Sequence, residues 1–449
     1  MNLETDNKIQ KKGITLVIPN PCGNIKETKM KNSGIEWIGE IPDGWEVSRV
    51  KNFLSERTGG AWGDEKKNNA NDIICLRIAD FDYSRFKFNN STELTIRNYN
   101  TDIIEKLLLK KDDILVEKSG GGDKTPVGRA VIFENSYKAL FANFMDRLRV
   151  RNNISALFFL YVWTTYYDNK YMLPYVKQTT GIQNLDITSI LSGVFFPLPP
   201  KSTQQRIASY LDKKCSKIEE TIQNQQQVIE KLKAYKQSLI TEAVTGKVKI
   251  ANGKICGEYE SYKNSSVEWI GKIPNGWEVK KAKYFIKISN GSDPKTEEGD
   301  TPVYGSGAES FKTCVEFKEG PTVLIGRKGA TLHIPHYIEG NYWNVDTAFD
   351  VKTYSEEILL LKFYYYCATA FDYRFYLTST TLPSMTQTNY GNMYLPVPNT
   401  LVQKEIVEFL DNKYNAIDTA IEQKQNLIEK LTEYKKSLIY ECVTGKKEI

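Results

Sequence analysis

Apolar positions along this chain recur with two periods, and each period appears twice. Between residues 202 and 244 the spacing alternates four and three: Ile218, Ile222, Gln225, Ile229, Leu232, Lys236, Leu239, Ala243. The same register returns as Ile417, Ile421, Lys424, Ile428, Leu431, Lys435, Leu438 and Cys442. Such spacing predicts a helix with a heptad seam. The first stretch follows a Pro-rich PLPP, where Ser202 and Thr203 can cap, and stops at Gly246, a natural left-handed terminator. At 1.5 Å per residue it would span roughly 60 Å. Two equivalent helices in one chain can bury their seams against each other. Polar residues at Gln225, Lys236, Lys424 and Lys435 would weaken that pairing but fix its register. Topology favours an antiparallel coiled coil, with the regions between the helices at opposite ends and related by an approximate twofold. Two amphipathic helices, each packed on its own domain, is the alternative reading.

The remaining apolar runs are short and β-like. The first half offers DIICLRIADF, DDILVEK, RAVIFE and DRLRVR; the second offers TPVYGSG, PTVLIGRKG and AFDVKTY. A helical stretch follows each set, ALFFLYVWTTYYDNKYM and EEILLLKFYYYCATAF. Strands followed by a helix predict a mixed α+β domain in each half.

An internal repeat organises these elements. NSGIEWIGEIPDGWEV (32–47) returns as NSSVEWIGKIPNGWEV (264–279), an offset of 269 − 37 = 232. The helical segment ending in EAVTGK at Lys247 returns ending in ECVTGK at Lys446, an offset of 445 − 246 = 199. Between these frames, residues 48–195 and 280–394 share almost nothing and differ in length by 232 − 199 = 33 residues. Fixed frames around divergent inserts imply a common job for the frames and individual specificity in the inserts. A duplication whose inserts drifted without consequence is the plainer alternative. In each frame Ile-Pro-Asp-Gly or Ile-Pro-Asn-Gly reads as a turn with Pro at its second position, and Trp-Glu-Val starts a strand. Trp37, Trp45, Trp269 and Trp277 read as packing anchors.

The boundaries that follow are an N-terminal extension (1–29), a first variable domain with its lead-in (30–200), a helix (201–247), a linker (248–263), a second variable domain (264–399), and a second helix with its tail (400–449). A chain of 449 residues with 41% hydrophobic residues suits several globular domains. A net charge of +5 does not by itself select a nucleic-acid partner. Seven scattered cysteines with no C-x-x-C pair, no secretory leader and no apolar run near 18 residues fit a reduced, cytoplasmic protein with no membrane span. The two histidines, His333 and His336, sit in HIPHY without the further ligands a metal site needs.

Candidate chemistry lies in the inserts. A strand leads into a glycine-containing basic loop in each, with Lys118, Ser119, Lys124 and Arg129 in the first and Arg327 and Lys328 in the second. Glycines let backbone approach a phosphate, and Lys or Arg neutralises phosphates or reads guanine. A second polar surface carries Gln178, Gln183 and Asn184 in the first insert and Ser384, Gln387 and Asn389 in the second, side chains suited to adenine edges. Catalytic signatures are weak. SGGGDKTP lacks the order of a phosphate loop. NPCG at 20–23 resembles the Asn-Pro-Pro-aromatic element of adenine methyltransferases, but Cys22 and Gly23 break it. Asp350 and Lys352 in FDVK fit an exposed strand better than a nuclease core, and the two histidines support no catalytic triad.

Taken together, SGIEWIGEIPDGWEV at the head of each half, PLPP before the first helix, and EAVTGK or ECVTGK at the helix ends resemble the specificity subunits of type I restriction-modification systems from Met30 onward. The resemblance implies two target recognition domains separated by two long antiparallel helices. Each domain would read one half of a bipartite, asymmetric site in double-stranded DNA. The helices would set the spacer and dock two methylation subunits, which restriction/motor subunits join. No cofactor is implied in this chain; S-adenosylmethionine, ATP and Mg²⁺ would serve the partners. Gln204-Gln205 and Gln403-Lys404 depart from the Glu-Gln that the family often shows there. A single-chain endonuclease or methyltransferase with its own active site is the competing reading, and cutting or methylation by the isolated chain would separate the two. A repeat interaction protein unrelated to DNA is a third, which salt-dependent duplex binding would exclude.

Overall fold

The computed structural model describes residues 29–449 apart from 90–92, 123, 180, 308 and 377–382. The NPCG segment and most of the N-terminal extension lie outside the described residues. The chain divides into two compact units. One comprises the described residues up to Glu220 together with Thr432–Ile449; the other is Thr221–Leu431.

In the first unit, a four-stranded antiparallel sheet has the order Ala130–Phe133, Asp113–Glu117, Met145–Val150, Leu54–Gly59. The two central strands are almost wholly buried, and helix Ala156–Asp168 packs on the sheet through Phe158, Phe159, Val162 and Trp163. Ser155 caps that helix by accepting from the Phe158 N–H. A neighbouring three-stranded sheet covers the other side of the insert around Leu76, Leu140 and Phe141.

The recurring frame closes the insert at its base. Glu46–Arg49 pairs antiparallel with Phe195–Leu198, from Glu46↔Leu198 to Arg49↔Phe195, so the ladder ends where the variable sequence begins and ends. Trp37 is buried edge-on against Tyr166 and Phe196, and its indole N–H donates to the Phe195 carbonyl at 3.2 Å. The turn differs from the expected one: the Trp45 N–H donates to the Pro42 carbonyl at 2.8 Å, which makes Pro42 its first residue. Pro42 instead belongs to a hairpin of Met30–Asn32 with Glu40–Pro42.

The second unit repeats this plan with a different sequence. Its sheet runs Ile286–Asn290, Ala348–Thr353, Thr322–Gly326, His336–Ile338, the same 1-4-2-3 order relative to the chain. Helix Leu361–Ala370 packs behind it, and Glu278–Lys281 pairs with Tyr394–Val397 to close the base. The 33 extra residues of the first insert are accommodated in a region that includes the short helix Thr101–Leu107 and the hairpin Phe81–Asp82 with Lys87–Phe88.

The two long helices are Lys201–Val244 and Thr400–Val443, 44 residues each. Ser202 and Thr203 lie inside the first turn rather than capping it; the Pro200 carbonyl accepts the Gln204 N–H at 3.0 Å. The second helix is capped by Asn399, whose side chain accepts from Val402. The two starts share another feature. Gln204 accepts from Ser155 N–H and donates to the Pro199 carbonyl, and Gln403 accepts from Leu360 N–H and donates to the Pro398 carbonyl. Both helices end on a left-handed glycine. A Cβ on Gly445 would lie 2.3 Å from Pro42, and one on Gly246 would lie 2.6 Å from Pro274. Only glycine lets VTGK close so tightly on the IP-GW frame.

Of the predicted seam, Ile218, Ile222, Ile229, Leu239, Ile417 and Leu438 are buried, and Leu232, Ile421, Ile428 and Leu431 are half-buried. The polar seam residues find partners. In the first unit Lys435 pairs with Glu219 at 3.2 Å, both side chains only 10% exposed, and donates to the Ser84 carbonyl. In the second, Lys424 donates to Gln225 at 3.1 Å, and Lys236 pairs with Asp418 with its ammonium 3.1 Å from the Tyr414 ring centre. Removing one member of a buried pair leaves the other charge uncompensated, whereas an exposed pair contributes little. Lys435→Ala should therefore cost about 3 kcal/mol in urea unfolding. Lys236→Ala should cost about 1 kcal/mol or less, because Asp418 is 49% exposed. Equal losses would contradict this assignment.

Candidate nucleic-acid interface

In each insert the structure brings together the two segments singled out from the sequence. In the first domain the N–H groups of Lys118 and Ser119 both donate to the Phe144 carbonyl, at 2.9 and 3.2 Å. The Lys118 carbonyl in turn accepts the Leu185 N–H at 2.8 Å, and Ser119–Gly120 pairs with Gln183–Asn184 as a short antiparallel ladder. In the second domain Arg327 and Lys328 donate to the Thr347 carbonyl at 2.8 and 3.4 Å, the Arg327 carbonyl accepts from Met385, and Lys328 forms a bridge with Ser384. The same backbone lock thus equates Lys118 with Arg327, Ser119 with Lys328 and Asn184 with Ser384, although the sequences do not align. A capped short helix follows in both. Asp186 accepts from Ser189 N–H, and Thr386 accepts from Asn389 N–H.

The side chains of this surface are polar and largely open to solvent. Ser119, half-buried, donates its hydroxyl to Asn184, which is exposed, at 2.6 Å. Lys124, Gln178 and Lys328 are exposed, and Lys177 pairs with Asp186. That Lys177 hydrogen bond, aided by the Ser189 N–H, holds the Asp186 carboxyl down to about 2, so it remains an anion at any neutral pH. The one pair that could suggest catalysis, Asp350 with Lys352, does not converge. Asp350 pairs with Lys318 at 2.6 Å, while Lys352 points to the Glu319 carbonyl. Among the described residues no cluster of three metal-ligating side chains occurs, and no helix is long and apolar enough to cross a membrane.

The comparisons agree with this architecture. The family model for the type I restriction modification DNA specificity domain matches twice, over residues 42–234 and 274–430. This chain belongs to that family. Among relatives, it is 28% identical over 288 residues to the sequence designated the MjaX type I specificity subunit of Methanocaldococcus jannaschii, covering 61% of each chain. It is 24% identical over 282 residues to the MjaIX specificity subunit of the same organism, covering 61% of this chain and 58% of that one. The alignments therefore span less than two thirds of those relatives' lengths. A chain from a solved structure on complex assembly and conformational transition of the type I R-M system shares the fold, with a TM-score of 0.65 and 13% identity over 91% of this chain and 99% of that one.

Within this specificity-domain chain, several candidates are turned inward. Arg129 pairs with Glu117 at 2.9 Å and stacks 3.6 Å over Tyr83, whose phenol burial and Glu117 push upward. Gln183 is 6% exposed and accepts the buried Val127 N–H at 3.1 Å. Asn389 donates to the Tyr376 carbonyl, and Gln387 donates to Asn290, both at 3.0 Å. Arg129, Gln183 and Asn389 shape the loops from within, whereas the Gln387–Asn290 contact is exposed to solvent. Lys118 is half-buried and pairs with Asp146 at 3.1 Å, sharing it with Arg57 at 2.6 Å. Arg57 and Asn290 escaped the sequence reading. Each sits near the end of the first strand of its sheet, and Arg57 also donates to Thr188 in the short helix. The only sequence signal for them is a polar residue late in a short strand, which is too common to select.

Arg129→Ala strands the Glu117 carboxylate, which is 1% exposed, and should lower stability by about 3 kcal/mol. Lys124→Ala should change it by no more than about 0.5 kcal/mol. Thermal unfolding of both variants tests this; a neutral Arg129→Ala would return that arginine to the surface.

Proposed function

We propose that this chain is the DNA sequence-specificity subunit of a cytoplasmic type I restriction-modification complex. Each insert serves as a target recognition domain for one half of a bipartite, asymmetric site in double-stranded DNA. The observation that carries this reading is the shared backbone lock, which presents Lys118-Ser119 in one domain and Arg327-Lys328 in the other, each beside a polar segment, in two domains of unrelated sequence. Fixed presentation with variable side chains is what two different half-sites require, since phosphate contacts position a reader and side chains at base edges specify.

On the same reading the long helices form an antiparallel coiled coil between pseudo-twofold halves. The falling partner numbers support this, with Gln225 on Lys424 and Lys236 on Asp418. The spacer would fix the distance between half-sites and dock two methylation subunits, to which restriction/motor subunits add. Methyl transfer with S-adenosylmethionine and ATP- and Mg²⁺-dependent cleavage would belong to those partners, leaving this chain non-catalytic. The isolated chain given DNA with all three should neither methylate nor cut.

Exchanging residues 48–195 for those of a relative with a different target should change one half of the methylated motif and leave the other half and the spacer intact. Mapping methylated adenines in a host genome reads this directly; a swap that alters neither half sinks the proposal. Lys328→Ala should weaken binding about equally across sequences and reduce the slope of log affinity against log salt by about 1.

A further inference from the structure

We infer that Phe144 is an apolar wedge that enters the duplex at a base step of the first half-site. The inference rests on the DNA-reading function proposed above and goes beyond it by naming a residue that deforms the target rather than pairing with it.

Phe144 is 51% exposed although its carbonyl lies at the backbone lock of the first domain. Its carbonyl receives both the Lys118 and Ser119 N–H groups, and the residue after it opens the buried strand Met145–Val150. A single exposed aromatic is unremarkable on a protein surface. Here, however, its carbonyl is anchored by the two residues that lead into the Ser119–Asn184 hydrogen bond, while its ring is left largely in solvent. Ile182, also 51% exposed, stands on the adjoining strand and adds a second apolar side chain to the same lock.

The occupant follows from charge. Lys118, Arg57, Lys124 and Lys177 lie in the segments around this apolar pair; Lys118 and Arg57 share the single carboxylate of Asp146 and Lys177 pairs with Asp186, so the cations still outnumber the anions and the surroundings suit a polyanion rather than an apolar protein face. Aromatic and aliphatic side chains presented between cations are the means by which proteins unstack a base step, and such contacts give specificity through the deformability of the step. The corresponding position in the second domain is Thr347, which has no ring to insert. The wedge therefore concerns the first half-site.

The test uses the full chain in complex with its methylation subunits and a duplex carrying the genome-mapped target, with 2-aminopurine substituted in turn along the first half-site. Binding by the unaltered complex should raise the emission at one step. Phe144→Ala should abolish that rise and weaken binding about tenfold, Phe144→Leu should keep part of both, and the Tm should stay unchanged because the ring is exposed. Sequence preference at the second half-site should not change. Unaltered emission and affinity in Phe144→Ala would overturn the wedge, as would failure of that variant to assemble with the methylation subunits, which would place the ring at a protein interface. Lys328→Ala in parallel separates the two levels: if it weakens binding while Phe144→Ala does not, the wedge fails and the DNA-reading function stands.

Discussion

Each variable region hangs from one short antiparallel ladder, Glu46–Arg49 on Phe195–Leu198 in one domain and Glu278–Lys281 on Tyr394–Val397 in the other. Backbone hydrogen bonds make no demand on side-chain identity, so the ladder fixes where the chain enters and leaves whatever lies between. Gln204 and Gln403 extend the constraint by tying the first turn of each long helix to the helix behind each sheet. Once the ends are pinned, an additional 33 residues in one insert cost little, because the entropy of closing a loop grows only slowly with its length. This is a physical basis for a common frame that carries unrelated inserts.

The helices solve a different problem. A purely apolar seam would tolerate sliding by a heptad, whereas a lysine in the seam must find an acceptor. Lys435 finds Glu219 in a nearly dry setting, Lys236 finds Asp418 beside a tyrosine ring, and Lys424 finds Gln225. These pairs make register a matter of satisfied charge rather than of apolar area.

The two loop surfaces show how the same lock permits different chemistry. The peptide groups of the locked residue pair are consumed internally in both domains, so only side chains vary: Lys and Ser in one, Arg and Lys in the other. Asp146 draws Arg57 and Lys118 together and limits how much charge the first surface presents. Positioning is thus built from backbone and selectivity from what projects beyond it.

Much of this was legible in the chain. All ten apolar seam residues are at least half-buried, because a heptad period leaves one stripe that can face a partner. The β-like runs became strands because short apolar runs bounded by turn residues fit a buried sheet, whereas the close approach of VTGK to the Pro and Trp of the frames appears only in the fold. Tertiary structure decided which polar side chains face outward. In Ile182-Gln183-Asn184-Leu185 either face of the strand carries one apolar and one polar residue, so alternation cannot choose between them. The choice fell to the buried Val127 N–H, which needed an acceptor and took Gln183, turning Asn184 and Ile182 to the surface. Arg129 was drawn inward by the buried Glu117 in the same way. Periodicity along the sequence fixes which stripe is apolar, but the demand of a buried polar group for a partner arises only when distant segments meet.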